Sequence, residues 1–195
     1  MSVKASKLFK YRSYTPIPFL LIMFLYANPN IWSIIIGLAV ALKGEAIRIW
    51  GVSWAGSETR TTGEVGGSFL VISGPFAYVR NPLYVGNILM YTGLGIMSFA
   101  LFPYLQILGL IFFYFQYNFI VHEEERYLKT TYGAEYENYC RNVPRFFPKL
   151  KAYKVDGLKQ PEYILSKGLR SEKRSLQAFS FVAITIIILW FLRRL

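Results

Sequence analysis

Apolar residues in this chain come in long unbroken blocks, where a soluble core would show alternation, and the blocks are separated by short polar breaks. The first block runs from about Ile17 to Ala27, Asn28-Pro29-Asn30 makes a polar turn, and Ile31 to about Trp50 returns, which predicts a helical hairpin. A second hairpin follows from Leu83–Leu101 and Tyr104 to about Val121, broken at Phe102-Pro103. A hydrocarbon layer about 30 Å thick needs roughly 20 apolar helical residues, and these blocks approach or meet that length. The fourth helix is predicted to run on as His122–Tyr132 and to stop at Gly133, with a short helix Ala134–Asn142 closed by Val143-Pro144. Gly51–Gly67 reads as a glycine-rich loop, the stretch after Phe147-Pro148 as a basic linker or interfacial arm, and Leu176–Leu192 as a fifth apolar block. The expected fold is therefore an all-α integral membrane protein of about five membrane helices, two hairpins plus a C-terminal helix, with a cytoplasmic pocket. Its expected parts are residues 1–148, an arm over 149–175 and a terminal helix over 176–195.

Composition sharpens this picture. The chain is 54% hydrophobic and carries a net charge of +11, yet its basic residues flank or separate the apolar blocks, so topology explains them better than nucleic-acid binding. Four Lys or Arg precede the first block, two lie between the second and third, and twelve lie between His122 and Ser175, whereas both hairpin tips carry none. The positive-inside rule places the N-terminus and both large polar segments in the cytoplasm; the terminal Arg193-Arg194 pair opposes that count if the fifth block spans. Lys43, Glu45 and Arg48 near the end of the second block are expected to reach the interface or pair with one another. The single cysteine, Cys140, supports neither an internal disulfide nor a zinc knuckle, so no metal site is expected. No cleavage pattern follows the basic N-terminus, which is expected to stay on the mature protein.

Two segments carry candidate chemistry. Gly74–Asn87 enters the third helix at Pro82, where free backbone N–H groups and the donors of Arg80 and Asn81 suit an anionic group; an ordinary helix cap is the plainer alternative. His122-Glu123-Glu124-Glu125 lies past the fourth block at the same surface. Glu125 has an i,i+4 partner in Lys129, while Glu124 shares its side of the helix with Ile120, Val121 and Leu128. A carboxylate held there suits an ammonium or sulfonium ligand, and His122 is read as an interfacial side chain before a proton carrier. Gly93-Leu94-Gly95 sits inside an apolar helix and Gly63–Gly67 follows no buried strand, so a dinucleotide-type phosphate loop lacks its context.

The order and separation of Leu70–Phe76, Arg80-Asn81-Pro82-Leu83-Tyr84-Val85-Gly86, Glu124-Glu125, Leu128, Gly133, Tyr136, Tyr139, Val143-Pro144 and Pro148 resemble the isoprenylcysteine carboxyl methyltransferase family. The related phospholipid N-methyltransferases share the paired glutamates. The resemblance covers about Gly44 to Pro148 and implies S-adenosylmethionine as cofactor, bound by Ser68, Phe69, Leu70, Val71, Phe76, Asn81, Pro82, Leu83, Tyr84 and Glu124, with a weaker alignment at Thr61. It implies a lipophilic acceptor, a prenylated cysteine carboxylate or a lipid head group, entering from the bilayer between the third and fourth helices. Two positions depart from the pattern: Asn81 replaces a histidine and cannot titrate, and Ile120 replaces an arginine thought to meet the acceptor carboxylate. Arg80, Arg141 and Arg145 remain as candidates to position an anionic head group. Competing expectations are a membrane reductase of the steroid-reductase type using NADPH, and a non-enzymatic scaffold whose eight cationic residues over Lys149–Arg174 bind anionic lipid.

Overall fold

The computed structural model describes residues 11–56, 70–155, 157–158 and 160–193, and over that range the chain is all-α. Five α-helices follow in order: α1 Ile17–Leu25, α2 Ile31–Ala55, α3 Pro82–Ser98, α4 Tyr104–Asn142 and α5 Leu165–Leu192, with a 3-10 turn at Gly74–Ala77 ahead of α3. The punctuation is where polar and special residues demand it. Asn30 Oδ1 accepts from Ser33 N at 3.0 Å and Ser33 Oγ accepts from Asn30 N at 3.0 Å, a reciprocal cap that opens α2. Pro82 opens α3, Phe99 and Leu101 take positive φ in the turn to α4, and Gly133, at φ 51°, interrupts α4 at the predicted point.

Two helix boundaries differ from the sequence-based expectation. α2 continues through Gly51 to Ala55, turning the first residues of the expected glycine-rich loop into helix, because Gly51, Val52 and Ser53 are buried against neighbours. The final helix starts at Leu165, ahead of the apolar block at Leu176. Its polar beginning is held by packing: Ile164 N donates to Ser53 O at 2.9 Å, and Gly168 lies so close to α2 that a Cβ there would strike Ser53 Oγ and crowd Ile49 O.

α2 is the central element, antiparallel to α3 on one side and to α5 on the other. Asn28 N donates to Ser98 O at 2.9 Å where α2 begins beside the end of α3. Along that contact a Cβ at Gly37 would strike the Gly93–Met97 backbone, and one at Gly44 would lie 2.5 Å from Gly86 O. Small residues thus let two backbones approach as closely as apolar bilayer-type packing allows.

α4 and α5 each contain a stretch long and apolar enough to cross a bilayer. Their outward faces are apolar and open: Ile107, Leu108 and Phe115 on α4, and Phe181, Ile184 and Ile188 on α5, are exposed. The remaining three fall short of that measure for identifiable reasons. α1 has nine residues, ~14 Å of rise; α2 carries Lys43, Glu45 and Arg48; α3 has 17 residues, ~26 Å.

Candidate functional site

The segment leading into α3 is fixed from three directions. Gln160 Oε1 accepts from Ile72 N at 2.8 Å and Ser73 N at 3.1 Å, and its Nε2 donates to Leu70 O at 3.0 Å, so one amide does the work of a neighbouring strand. Tyr139 OH donates to Phe76 O at 2.7 Å. Arg80 N donates to Pro144 O, Lys149 N to Tyr78 O and Tyr153 N to Ala77 O, all at 2.9–3.0 Å, which sews residues 77–80 to the chain after α4.

The three successive glutamates take three different roles. Glu123 pairs with Arg126 on the next turn. Glu125 does not pair with Lys129 as its spacing suggests; it is buried and holds Arg80, at 2.9 Å from Nη2, and Arg145 at both Nε and Nη2. Long-range partners override the i,i+4 option because a buried carboxylate needs full compensation, and two guanidiniums supply it. Arg80 completes its fork on the carbonyls of Cys140 at 2.9 Å and Val143 at 2.8 Å, and Arg145 Nη1 donates to Asn118 Oδ1 at 2.8 Å.

Glu124 turns the other way, toward α3, where Tyr84 OH donates to its Oε1 at 2.7 Å. It lies beyond the apolar stretch of α4, which ends at Val121. Burial pushes its carboxyl up to about 7, against the opposing pull of the Tyr84 hydrogen bond and the Arg12 charge. A group with that value changes charge near neutral pH and is poised to ionise when a cation arrives.

Tyr84 and Glu124 stand on the wall of an open cavity of about 840 Å³. The structure brings together there, of the site candidates from the sequence, Leu70, Val71, Phe76, Asn81, Pro82, Leu83, Tyr84, Glu124 and Arg80. Asn81 also anchors the turn, its Nδ2 donating to Arg145 O at 3.2 Å. Ser68, Phe69 and Thr61 lie outside the described residues. Arg141 is exposed and is absent from the cavity wall, as is Arg145.

The wall also includes residues that were not site candidates in the sequence: Arg12, Arg48, Asn87, Tyr91, Tyr117, and from α5 Glu172, Arg174 and Ser175. Arg48 meets Glu45 at 3.9 Å, the local pairing expected, but its closer partner is Glu172 at 2.5 Å. The available signal was the helical spacing Gly168–Glu172–Ser175–Phe179, whose members lie on the side of α5 turned to α2 and the cavity. Phe19 of α1 packs on Phe112 and Phe113 at 5.3 and 5.1 Å between ring centroids, covering α4 beside α3. Among the described residues no three His, Cys, Asp or Glu side chains gather as a metal-ligand set.

Comparison with known proteins matches residues 32–135 to a family model described as phospholipid methyltransferase. The cobalt-zinc-cadmium resistance protein CzcN of Cupriavidus metallidurans is 33% identical over 119 residues, 61% of this chain and 49% of that protein. The chain thus matches about half the length of that relative. The nickel-cobalt-cadmium resistance protein NccN of Alcaligenes xylosoxydans xylosoxydans is 25% identical over 179 residues, 82% of this chain and 80% of that protein.

Proposed function

Because the chain belongs to the phospholipid methyltransferase family, we propose that it is a multi-pass membrane enzyme that transfers a methyl group from S-adenosylmethionine to a lipophilic acceptor at the cytoplasmic face of a bilayer. The observation behind this reading is the Tyr84–Glu124 hydrogen bond on the wall of the cavity that Phe76 and the Asn81–Leu83 turn also line.

The cavity suits such a group. Its volume is within the roughly 300–1,000 Å³ usual for small-molecule sites. A carboxyl in poorly hydrated surroundings meets a positive sulfur, and the rings of Phe76, Tyr132 and Tyr136 offer faces to a purine. S-adenosylmethionine supplies an electrophilic methyl carried on a cationic sulfur. The protein's share is positional: Tyr84 aims the Glu124 carboxylate, the Arg80–Glu125–Arg145 cluster fixes the turn into α3, and the tyrosine-lined wall excludes water from the line of approach. Asn81 has no proton to give or take by titration, so no acid–base duty falls on it.

The acceptor's apolar part stays in the lipid and reaches the cavity past Pro16, Ile17 and Leu20 at the start of α1 and Ala178, Phe179 and Val182 of α5, which supply apolar wall. We favour this route over the expected entry between α3 and α4, because Phe19 of α1 packs on Phe113 of α4. α2 and α3 cross the membrane as a tightly packed pair alongside α4 and α5.

Incubating the purified protein with methyl-labelled S-adenosylmethionine and a lipid extract is expected to place label in an organic-soluble product. Calorimetric titration should give binding of S-adenosylmethionine and none of NADPH, and Glu124→Ala should weaken that binding at least tenfold. Unchanged affinity in the folded variant would remove Glu124 from the site. Binding of NADPH alone would replace methyl transfer with the reductase reading.

A further inference from the structure

Arg48 shares the cavity wall with Glu124 but has no part in the cofactor's cradle described above. It projects from α2 with its side chain only 13% exposed. Nη1 donates to Asn87 Oδ1, Nη2 donates to Glu172 Oε2 at 2.5 Å, and Nε, 3.9 Å from Glu45, makes no hydrogen bond. A guanidinium offers five N–H donors, so these contacts leave donors over. Glu172 is buried beneath the guanidinium, while Arg48 keeps its 13% exposure on the wall that Asn87 also lines.

Tyr84, Asn87 and Tyr91 recur on one face of α3, and Asn87 is three residues, ~4.5 Å of helix rise, from the tyrosine that holds Glu124. Arg48 is therefore about one helical turn deeper than the carboxyl assigned to the sulfonium. Beyond it the wall turns apolar, with Leu20, Met90, Leu94, Phe179 and Val182. The wall carries Arg12, Arg48, Arg80 and Arg174 against Glu124 and Glu172, an excess of positive charge. An oxyanion joined to an apolar tail matches this sequence of surfaces, since charge-assisted hydrogen bonds to a guanidinium are strongest where water is scarce.

Resting on the methyl-transfer reading, we infer that Arg48 binds an oxyanion, carboxylate or phosphate, on the head of the lipophilic acceptor. Glu172, on a helix outside the family-matched residues, is the positioning residue that aims it. The tail lies in the slot between α1, α3 and α5. Glu172 both orients the guanidinium and repels the incoming anion, so it tunes affinity in a direction that a merely structural partner would not.

The test measures equilibrium binding of dodecyl phosphate, dodecanoate and dodecyltrimethylammonium to the purified full-length chain in maltoside detergent, beside S-adenosylmethionine affinity. The wild type is expected to bind one of the two anionic probes at least tenfold tighter than the cationic one, and which probe wins separates a phosphate from a carboxylate head. Arg48→Gln should erase that preference while S-adenosylmethionine affinity stays within threefold. Glu172→Gln keeps the cation and removes the repulsion, so anionic affinity should rise threefold or more; this variant decides if Arg48→Gln does not fold. Charge-blind or cation-selective binding by the wild type overturns the inference, as does anionic affinity within twofold of wild type in Glu172→Gln. Loss of S-adenosylmethionine binding with the Arg48-dependent preference intact would sink methyl transfer and leave the oxyanion site standing.

Discussion

At the scale of single residues, Glu124 makes the proposed site dependent on pH. Its carboxyl, near 7 when the site is free, must be ionised to attract a sulfonium, and at pH 6 about nine-tenths of it is protonated. Binding below pH 7 therefore expels a proton, and affinity for S-adenosylmethionine should rise by up to tenfold per pH unit toward 7 and level off above it. Titrations from pH 5.5 to 8.5 in buffers of different ionisation enthalpy measure both the slope and the proton released. Glu124→Gln should flatten the slope and weaken binding about tenfold or more, roughly 1.4 kcal/mol. Tyr84→Phe removes a hydrogen bond that favours the ionised form, so the plateau should move to higher pH; a plateau that stays in place would show that Tyr84 does not act through Glu124. The distinctness of Glu124 was legible in its apolar neighbours Ile120, Val121 and Leu128. The fate of Glu125 was not, because its partners are 45 residues before it and 20 after it, and side-chain spacing on one helix carries no word of them.

At the scale of elements, the site depends on how closely α2 and α3 approach. Tyr84 and Asn87 project from α3 and Arg48 from α2, so a separation of the two helices would pull the cavity wall apart. Gly93 faces the Gly37–Ala41 backbone with no room for a Cβ, while a Cβ at Gly95 would meet Gln106 Cγ at an ordinary 3.4 Å. Gly93→Leu is expected to lower the midpoint of thermal unfolding in detergent by about 5 °C or more, since overpacking costs about 1–3 kcal/mol, and Gly95→Ala should lie within about 1 °C of wild type. Equal behaviour of the two variants would mean that the close approach is not what holds the pair. Turns and breaks were readable because Asn, Pro and Gly act locally: Asn30, Pro82 and Gly133 all fall where the chain changes course. The start of α5 was not readable, since Leu165–Arg174 has the composition of a solvated arm and becomes an inward-facing helix only through Gly168 on α2 and Glu172 on Arg48.

At the scale of the whole molecule, the proposed orientation is argued from charge. The 28 residues of α5 rise ~42 Å, more than a hydrocarbon layer, and its apolar part from Leu176 to Leu192 accounts for ~26 Å of that. The polar first turns lie by the cavity at the level of Arg48, so a spanning α5 carries Arg193 to the far side, with the Asn28–Asn30 and Phe102–Pro103 tips. Twelve basic residues between His122 and Ser175 outweigh the terminal pair, so the proposed topology has the cavity on the cytoplasmic side. With Cys140 replaced by serine, single cysteines at the exposed positions Asn28, Phe102 and Leu192 should react with an impermeant maleimide added outside intact cells. A cysteine at exposed Lys151 should react only after permeabilisation. Reaction of Leu192→Cys together with Lys151→Cys would mean that α5 lies along the cytoplasmic interface. In that geometry Phe181, Ile184 and Ile188 would face headgroups in place of tails, and the slot beside Phe179 would open to the surface, where a soluble acceptor could reach Arg48 as readily as a lipid.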